Sequence, residues 1–261
     1  MVMPYFSRRH AFLALLLLPS LPACSPMQNN ALAQASTTTD AVVASGPVAI
    51  DVGHSRAQSG ARSARGRPEF EFNLALAKVI HQSFAAQGVN SALIGADGNM
   101  LDLRKRTETA QTLGASFFLA VHHDSAQPQY LQEWQWQGET RRYTDRFSGF
   151  SLFVSRKNPH PERSLQCARQ IGLALKQAGL SASPHHAEKI AGEGREWADQ
   201  AAGVYYFDDL VVLKTAEMPA ILLEAGVIVN RDEELVLQQD RRQKLLAKAV
   251  LQGMRGCGIA P

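Results

Sequence analysis

The stretch Phe117-Phe-Leu-Ala-Val-His122-His123-Asp124 decides the fold, because an apolar run of strand length ends in groups that bind metals or move protons. Two other runs have the same form: Val48-Ala-Ile-Asp-Val-Gly-His54 and Pro219-Ala-Ile-Leu-Leu-Glu224-Ala-Gly. Open parallel sheets bind ligands outside the carboxyl ends of their strands. If the three runs are buried parallel strands, we expect their polar ends to converge at one edge of the sheet.

Around these runs, short apolar segments alternate with amphipathic ones, which is typical of parallel strands joined by crossover helices. The predicted strands cover 48–52, 90–94, 117–122, 150–154, 204–206 and 220–224. The predicted helices cover 70–86, 101–113, 162–178 and 233–254. The sequence therefore predicts an α/β fold, a single domain with a twisted, mostly parallel central sheet of about six strands and helices on both faces.

The first part of the chain has the features of an export signal. Arg8 and Arg9 precede an apolar run over 11–18, and small residues follow it. Proline residues end the run before it reaches the roughly 20 apolar residues that cross a bilayer. Ser7-Arg8-Arg9 is compatible with a twin-arginine signal, and general secretion stays open because the residues that follow fit that pattern loosely. We predict an export signal over 1–23.

Leu21-Pro-Ala-Cys24 resembles a bacterial lipobox, in which the cysteine thiol carries a lipid into the membrane after cleavage. The alternative is cleavage after Ala33, at a small-x-small site, which would release a soluble periplasmic protein. We favour the lipoprotein, exported to the periplasm and anchored to the outer membrane through Cys24. A flexible tether over 24–46, rich in Ala, Thr, Gln and Asn, then leads to the main domain over 47–261.

Charge and cysteine content narrow the class of protein. The formal charge of +3 falls to +1 without the signal, because Arg8 and Arg9 are its only charged residues, and this balance argues against a nucleic-acid partner. Cys167 and Cys257 remain in an oxidising compartment, and the sequence leaves their pairing open. The helical face around Cys167 favours a small buried hydrophobe there.

Two histidines and two acids are the candidate metal ligands. His54 and His122 each end a predicted buried strand, and neutral imidazole is the usual nitrogen ligand for zinc. Either histidine alone could be an ordinary loop residue. Glu69 and Glu71 both stand near His54 at the start of a predicted helix, where an acid also opposes the helix dipole. Helical geometry does not choose between these two acids.

Glu224 interrupts an apolar strand, where a carboxylate is costly unless it is paired, bound to a metal or used in catalysis. A buried salt bridge with an arginine such as Arg106 is the structural alternative. A desolvated glutamate beside an activated water has the basicity that general-base catalysis needs. Together with the histidines, Glu224 indicates a metal-dependent hydrolase.

These residues also carry a resemblance to a known family. The motifs, in chain order, are Asp51-x-Gly53-His54, Glu69-x-x-x-Asn73-Leu74, Arg106-x-x-x-Ala110, Val121-His122-x-Asp124 and Pro219-Ala-x-Leu-x-Glu224-x-Gly226. Together they resemble the zinc-dependent N-acetylmuramoyl-L-alanine amidases of the type 3 amidase family, over nearly the whole domain. The resemblance implies hydrolysis of the amide between the lactyl group of N-acetylmuramic acid and L-alanine in peptidoglycan, for cell-wall remodelling or daughter-cell separation.

The resemblance also implies roles for single residues. It assigns Zn²⁺ to His54, Glu69 and His122, and the catalytic carboxylate to Glu224. Glu69 stands four positions before the family's asparagine, and Asp124 could add an oxygen ligand. His122 takes the family's histidine position, which leaves the bulky His123 where alanine is usual. Ser55-Arg56 replaces a glycine pair, so the resemblance leaves substrate preference open.

Two long segments between predicted elements carry further candidates. Residues 127–148 contain Tyr130, Trp134, Trp136 and Tyr143, which could stack on sugars or pack the loop against the domain.

Residues 181–203 contain His185, His186, Glu188, Glu193 and Glu196. In amidases that resemble this chain, a helix can occlude the zinc until an activator protein moves it. This segment could act in that way, or it could be a solvated surface helix.

Two other functions stay open at this point. A non-catalytic peptidoglycan-binding lipoprotein would keep the fold and use the groove to hold glycan. A zinc peptidase acting on stem peptides would share the metal chemistry and cleave a different carbonyl.

Overall fold

The computed structural model describes residues 46–261, so the predicted signal, the lipobox cysteine Cys24 and nearly all of the tether lie outside the described residues. The strands are β1 (Val48–Val52), β2 (Ser91–Ile94), β3 (Phe117–Asp124), β4 (Gln132–Trp136), β5 (Glu139–Tyr143), β6 (Ser151–Val154), β7 (Trp197–Asp199), β8 (Val204–Tyr206) and β9 (Ala220–Val227). The helices are α1 (Glu69–Ala85), α2 (Leu103–Thr112), α3 (Pro161–Gln177), α4 (Val211–Thr215), α5 (Glu233–Leu237) and α6 (Asp240–Gly256).

A seven-stranded sheet in the order β2-β1-β3-β9-β6-β8-β7 runs through the described part of the chain. Strands β2, β1, β3 and β9 are parallel to one another, and β8 is parallel to β6. Strand β6 runs antiparallel to β9, and the edge strand β7 runs antiparallel to β8. The predicted α/β class and mostly parallel sheet are confirmed, and all six predicted strands form. The sequence missed the edge strand β7, the short helix α4 and a separate β4–β5 hairpin within 127–148.

The alternation of side chains along the strands sorts the sheet into two faces. Alternate residues of β3, among them Phe117, Leu119 and Val121, pack in the larger core cluster with α1, α3 and α6. The intervening Phe118 and Ala120 pack in a smaller cluster with α2 and α4. The same face of β3 continues beyond this smaller cluster into His122 and Asp124.

The predicted helix over 233–254 is wrong as a single element, because the chain forms α5 and α6 with a break at Gln238 and Gln239. Gln239 has extended backbone angles of φ −77° and ψ 131°. The Gln243 side chain donates to the carbonyl of Leu237 over 3.1 Å, so the break leaves that carbonyl satisfied. Apolar periodicity did not reveal the break, because residues on both sides of it face the same core.

A disulfide joins Cys167 in α3 to Cys257 at the end of α6, with Cα atoms 5.1 Å apart. Cys167 is buried, as its helical face predicted, and the disulfide answers the question of pairing that the sequence left open. Helices α3 and α6 approach so closely that a Cβ on Gly253 would lie 2.3 Å from the Ile171 Cα. Because Cys167 and Cys257 are 90 residues apart, the spacing alone could not predict their contact.

Over residues 46–261, the helices all fall short of the length and apolar character needed to cross a membrane.

Candidate metal centre and active site

The candidate site lies where β3 and β9 end. His122 on β3 is the registered partner of Glu224 on β9. Because side chains alternate along a strand, His122 and Asp124 share one face while His123 points to the other. His123 is buried against α1, where its Nδ1 lies 2.8 Å from the Asn73 Oδ1. Burial lowers the pKa of His123 to about 3, so this imidazole is neutral and belongs to the core.

Three side chains meet beside this sheet edge and are called here the first cluster: His54, Glu69 and His122. Glu69 Oε2 lies 3.0 Å from His54 Nε2, and Glu69 Oε1 lies 3.1 Å from His122 Nδ1. One potential ligand atom from each residue falls within 4.8 Å of the others. Two imidazole nitrogens and a carboxylate oxygen form the donor set of catalytic zinc sites that keep an open position.

Two glycines permit this close approach. A Cβ on Gly53 would lie 2.3 Å from His122 Nε2, and a Cβ on Gly60 would lie 2.3 Å from Glu69 Oε2. His54 follows Gly53 with a positive φ of 67°, a conformation that is uncommon for residues other than glycine. The backbone is therefore held in an unfavourable conformation that aims this imidazole at Glu69.

Glu69 is positioned by the start of α1. The Ala61 N–H donates to Glu69 Oε2 over 3.1 Å, and the Asn73 amide donates to Glu69 Oε1 over 3.0 Å. Burial alone would raise the pKa of Glu69, yet the hydrogen bonds from His122 and His54 hold it well below its usual range. Glu71 instead points outward, where it accepts from Arg67 over 2.9 Å. The structure thus brings Glu69 into the cluster and leaves Glu71 outside it.

Arg106 fixes the loop that carries His54. It is buried, and its Nη1 donates to Asp51 Oδ1 over 2.7 Å and to the Val52 carbonyl over 2.6 Å. Its Nη2 donates to the His54 carbonyl over 2.5 Å. The sequence also allowed a salt bridge between Arg106 and Glu224. It does not form, because the Arg106 guanidinium pairs with the Asp51 carboxylate instead.

Glu224 lines the same cleft without a cationic partner. Its Oε2 is buried and makes no hydrogen bond to any of residues 46–261. Burial raises the pKa of Glu224 well above its usual range, and the negative charges of Asp124 and Glu69 raise it further. A carboxyl group in this state holds a proton more readily than an exposed one, as general acid–base chemistry requires.

The cleft has two lobes that meet at His54 and His122. The first lobe has a volume of about 220 Å³ and is largely apolar, with Met100 and Leu101 in its wall. The second lobe has a volume of about 370 Å³. Most of its lining is also apolar, but it contains the charged side chains of Glu193, Arg195 and Glu224 and is called here the polar lobe. A substrate bond at the junction would therefore have different surroundings on its two sides.

The sequence did not predict the structure of segment 181–203, which forms part of the site. The surface-helix alternative is wrong, since this segment contains a single 3₁₀ turn, His185–Ala187, and the short strand β7. His185 and His186 are buried, and His186 lines the polar lobe with Glu193 and Arg195. Their contacts with Asp124 form a second group of ligand-type side chains. The adjacent histidines in a long insertion were the available signal, but nothing in their spacing indicated a contact with β3.

The aromatic residues of 127–148 mostly pack on the domain. Trp134 Nε1 donates to the Ala64 carbonyl over 2.9 Å, and its ring stacks on Trp136 with centroids 5.3 Å apart. The Arg65 guanidinium lies 4.8 Å from the Trp136 ring centroid. Of the two alternatives for this segment, the contacts favour packing of the hairpin against the domain.

Comparisons with known proteins agree with this site. The N-acetylmuramoyl-L-alanine amidase family model matches residues 48–256. N-acetylmuramoyl-L-alanine amidase AmiA of Escherichia coli (strain K12) is 25% identical over 233 residues, which cover 79% of this chain and 74% of that protein. AmiA of Salmonella typhimurium matches with the same identity and coverage.

Solved structures share the fold. The catalytic domain of CwlV, an N-acetylmuramoyl-L-alanine amidase from Bacillus (Paenibacillus) polymyxa var. colistinus, superposes with a TM-score of 0.61 at 23% identity, covering 81% of this chain and 97% of that one. The amidase Ami1 from Mycobacterium smegmatis gives a TM-score of 0.65 at 19% identity, covering 83% and 98%. At these identities the structural likeness supports the fold, and the family match supplies the activity. The chain therefore belongs to the N-acetylmuramoyl-L-alanine amidase family and is a hydrolase of the peptidoglycan amide bond.

Proposed function

We propose that the chain cleaves the bond between the lactyl group of N-acetylmuramic acid and L-alanine with Zn²⁺ held by His54, Glu69 and His122, and with Glu224 as the general acid–base. One observation carries this proposal: Glu224 Oε2 is buried beside the first cluster and makes no hydrogen bond to any of residues 46–261.

The donor set of the first cluster fits zinc. Two imidazoles and one carboxylate leave room for water and substrate, and the hydrogen bonds from Asn73 and Ala61 hold Glu69 in place. When bound there, zinc lowers the pKa of water and polarises the scissile carbonyl.

In this proposal Glu224 is the group that transfers the proton. Its carboxylate accepts the proton of the attacking water and returns it to the departing nitrogen of L-alanine, so that the amine leaves as a neutral group. Burial and the nearby Asp124 and Glu69 charges favour proton uptake at Glu224. The His54 loop, held by Arg106, fixes the cluster against which the scissile bond lies.

The two lobes suggest how the substrate lies. We assign the stem peptide to the polar lobe, because the Arg195 guanidinium in its lining offers a cationic group to the carboxylates of the peptide. The lactyl group and sugar would then face the apolar lobe, which Met100 and Leu101 line.

The reaction class is tested by mass spectrometry of purified peptidoglycan after digestion with the zinc-loaded protein. We expect intact stem peptides that begin with L-alanine, together with lactyl-bearing glycan. Shortened peptides would instead identify a peptidase. The absence of products both with and without segment 181–203 would identify a binding protein. The Glu71→Gln variant is a matched control, because Glu71 is an exposed acid outside the cluster.

For the residues before the described domain, we propose export to the periplasm through the signal over 1–23 and a lipid anchor on Cys24, with 24–46 as the tether to the 47–261 domain. The lipobox-like Leu21-Pro-Ala-Cys24 supports this proposal. Mass spectrometry of the N-terminal peptide and detergent partitioning test it. A mature protein that begins after Ala33 and stays in the aqueous phase would refute the anchor.

We also propose that an activator protein acts on segment 181–203. This segment lines the polar lobe through His186, Glu193 and Arg195, so a partner that moves it would change access to the cleft. A structural neighbour, the CwlD amidase from Clostridioides difficile, was solved in complex with the GerS lipoprotein. Deletion of the segment should raise basal amidase activity, and an unchanged rate would exclude this role.

A further inference from the structure

A second set of ligand-type side chains, called here the second cluster, joins segment 181–203 to the end of β3: Asp124, His185 and His186. Asp124 Oδ2 lies 2.7 Å from His186 Nε2 and 3.3 Å from His185 Nε2. One potential ligand atom from each residue falls within 4.8 Å of the others. Two imidazole nitrogens therefore converge on a single carboxylate oxygen, outside the first cluster.

His185 is held in place but has one nitrogen unused. The side chain is 2% exposed, and its Nδ1 lies 2.7 Å from the Ser183 Oγ. Its ring packs between Phe147 and His186, with centroids 4.9 and 4.0 Å away. Within residues 46–261, His185 Nε2 makes no hydrogen bond. A buried nitrogen of this kind costs free energy unless a further ligand satisfies it.

His186 has the outer support that metal-bound histidines usually have. Its Nδ1 lies 2.9 Å from Glu193 Oε2, and Gln127 Nε2 donates to Glu193 Oε1 over 2.9 Å. A carboxylate at one ring nitrogen fixes the imidazole so that the other nitrogen points at the metal. In this arrangement the free nitrogen of His186 points at Asp124.

We propose that Asp124, His185 and His186 form a second binding site for a divalent transition-metal ion, with Zn²⁺ as the ion that the donor set favours. Ligand atoms about 2.0–2.1 Å from a tetrahedral zinc lie roughly 3.3–3.4 Å from one another. The His185–Asp124 separation of 3.3 Å already has this value, and the His186–Asp124 separation of 2.7 Å needs to widen by about 0.6 Å.

The competing occupant of the second cluster is a proton. Burial alone would lower the pKa of His186, but the Asp124 and Glu193 carboxylates raise it to about 9. A protonated His186 would then bridge two carboxylates. That arrangement explains the His186 contacts. It leaves His185 Nε2 3.3 Å from Asp124 Oδ2 without a hydrogen bond, whereas a metal ion would bind both histidines.

A metal in the second cluster would fasten segment 181–203 to β3, two residues beyond His122. The polar lobe is lined by Asp124 and His186, so an ion can reach the cluster from the cleft. The ion would hold one wall of the cleft in place. This proposal does not depend on the amidase assignment, because it concerns a separate set of ligands.

Metal counting on the untagged chain tests the proposal. The protein is equilibrated with ZnCl₂, dialysed and measured by inductively coupled plasma mass spectrometry. We expect two zinc ions per chain in the wild type, one in His54→Ala, one in His186→Ala and none in the double variant. His160→Ala is the control and should keep both ions, since His160 lies outside both clusters. Equal zinc content in the wild type and His186→Ala would overturn the proposal. A single wild-type ion that His54→Ala keeps and His186→Ala loses would still support it, and would count only against zinc in the first cluster.

Amide hydrogen exchange of His54→Ala, with and without zinc, gives a second measurement. It keeps His186 intact, so its result holds even if His186→Ala does not fold. Zinc should slow amide exchange over 183–195 in this protein, and removal of zinc with EDTA should restore it. Equal exchange with and without zinc would also overturn the proposal.

Discussion

Two histidine–carboxylate clusters face one cleft, but the chain builds them differently. The first cluster stands on β-strand ends and the start of α1, supported by buried groups such as Asn73 and Arg106. The second cluster joins one strand-end carboxylate to two histidines of a long insertion. Strands and a helix hold the residues of the first cluster in place. The position of the second cluster depends on the conformation of segment 181–203. This difference is what we expect if the first cluster holds the catalytic zinc, as proposed above, and the second fastens a movable segment to β3.

The largest effect should come from His122→Ala. Loss of this imidazole removes a ligand of the first cluster, so the site should lose its zinc and amidase turnover should fall by more than about 100-fold, beyond the usual effect of an outer-sphere change. Zinc content and the rate of stem-peptide release check this result. His81→Ala is the control, because His81 contacts Ser91 away from the site. A variant that keeps both zinc and turnover would remove the first cluster from the mechanism.

Arg106→Met should destabilise the scaffold of the first cluster. The change leaves the buried Asp51 carboxylate and the carbonyls of Val52 and His54 without their donor. Breaking a buried ion pair in this way typically costs about 3–5 kcal/mol of unfolding free energy. Urea denaturation measures the loss. Arg104→Met, on the exposed side of α2, should change stability by no more than about 0.5 kcal/mol. Equal effects of the two variants would contradict a supporting role for Arg106.

Asn73→Ala should act through Glu69 without touching substrate. It removes the amide that donates to Glu69 Oε1 and to the Gly53 carbonyl. Loss of such an outer contact typically weakens metal affinity by about 10–100-fold. Competition with a chelator of known zinc affinity measures the change, with Glu71→Ala as the control. The second cluster should keep its own affinity in Asn73→Ala, and a loss at both clusters would indicate a general folding defect instead.

The smallest effect should come from Gln127→Ala. This change removes one hydrogen bond to Glu193, which supports His186. A hydrogen bond to a carboxylate contributes about 1.5–3 kcal/mol. Gln127 acts on the zinc only through Glu193 and His186, so we expect part of this to reach the site and the zinc affinity of the second cluster to fall by roughly fivefold. Zinc titration of the His54→Ala protein, with and without Gln127→Ala, isolates this effect. An unchanged affinity would show that the hydrogen bond from Gln127 to Glu193 does not contribute to zinc binding.

The first cluster could be predicted from the sequence because strand ends have a simple physical signature. Apolar runs that stop at His54, His122 and Glu224 indicate that these groups share one sheet edge. The choice of Glu69 over Glu71 came from the family resemblance, since the helix pattern alone fits both. In the structure only Glu69 turns inward, because the Ala61 amide and Asn73 hold it.

The remaining features depend on long-range contacts that periodicity does not encode. Cys167 and Cys257 meet because α3 and α6 pack together, and the break before α6 follows from the backbone at Gln239. His186 lies 62 residues from its carboxylate partner Asp124 on β3. Such contacts depend on how the insertion packs against β3.

In the proposed mechanism, Glu224 moves the proton while the first cluster holds the zinc. The most direct test measures zinc content and release of L-alanine-initiated stem peptides from purified peptidoglycan for Glu224→Gln and the wild type. We predict unchanged zinc content and a turnover lower by about 10²–10⁴-fold, the usual contribution of a general acid–base. Turnover close to the wild-type rate would contradict the claim, and loss of zinc would make Glu224 a ligand instead.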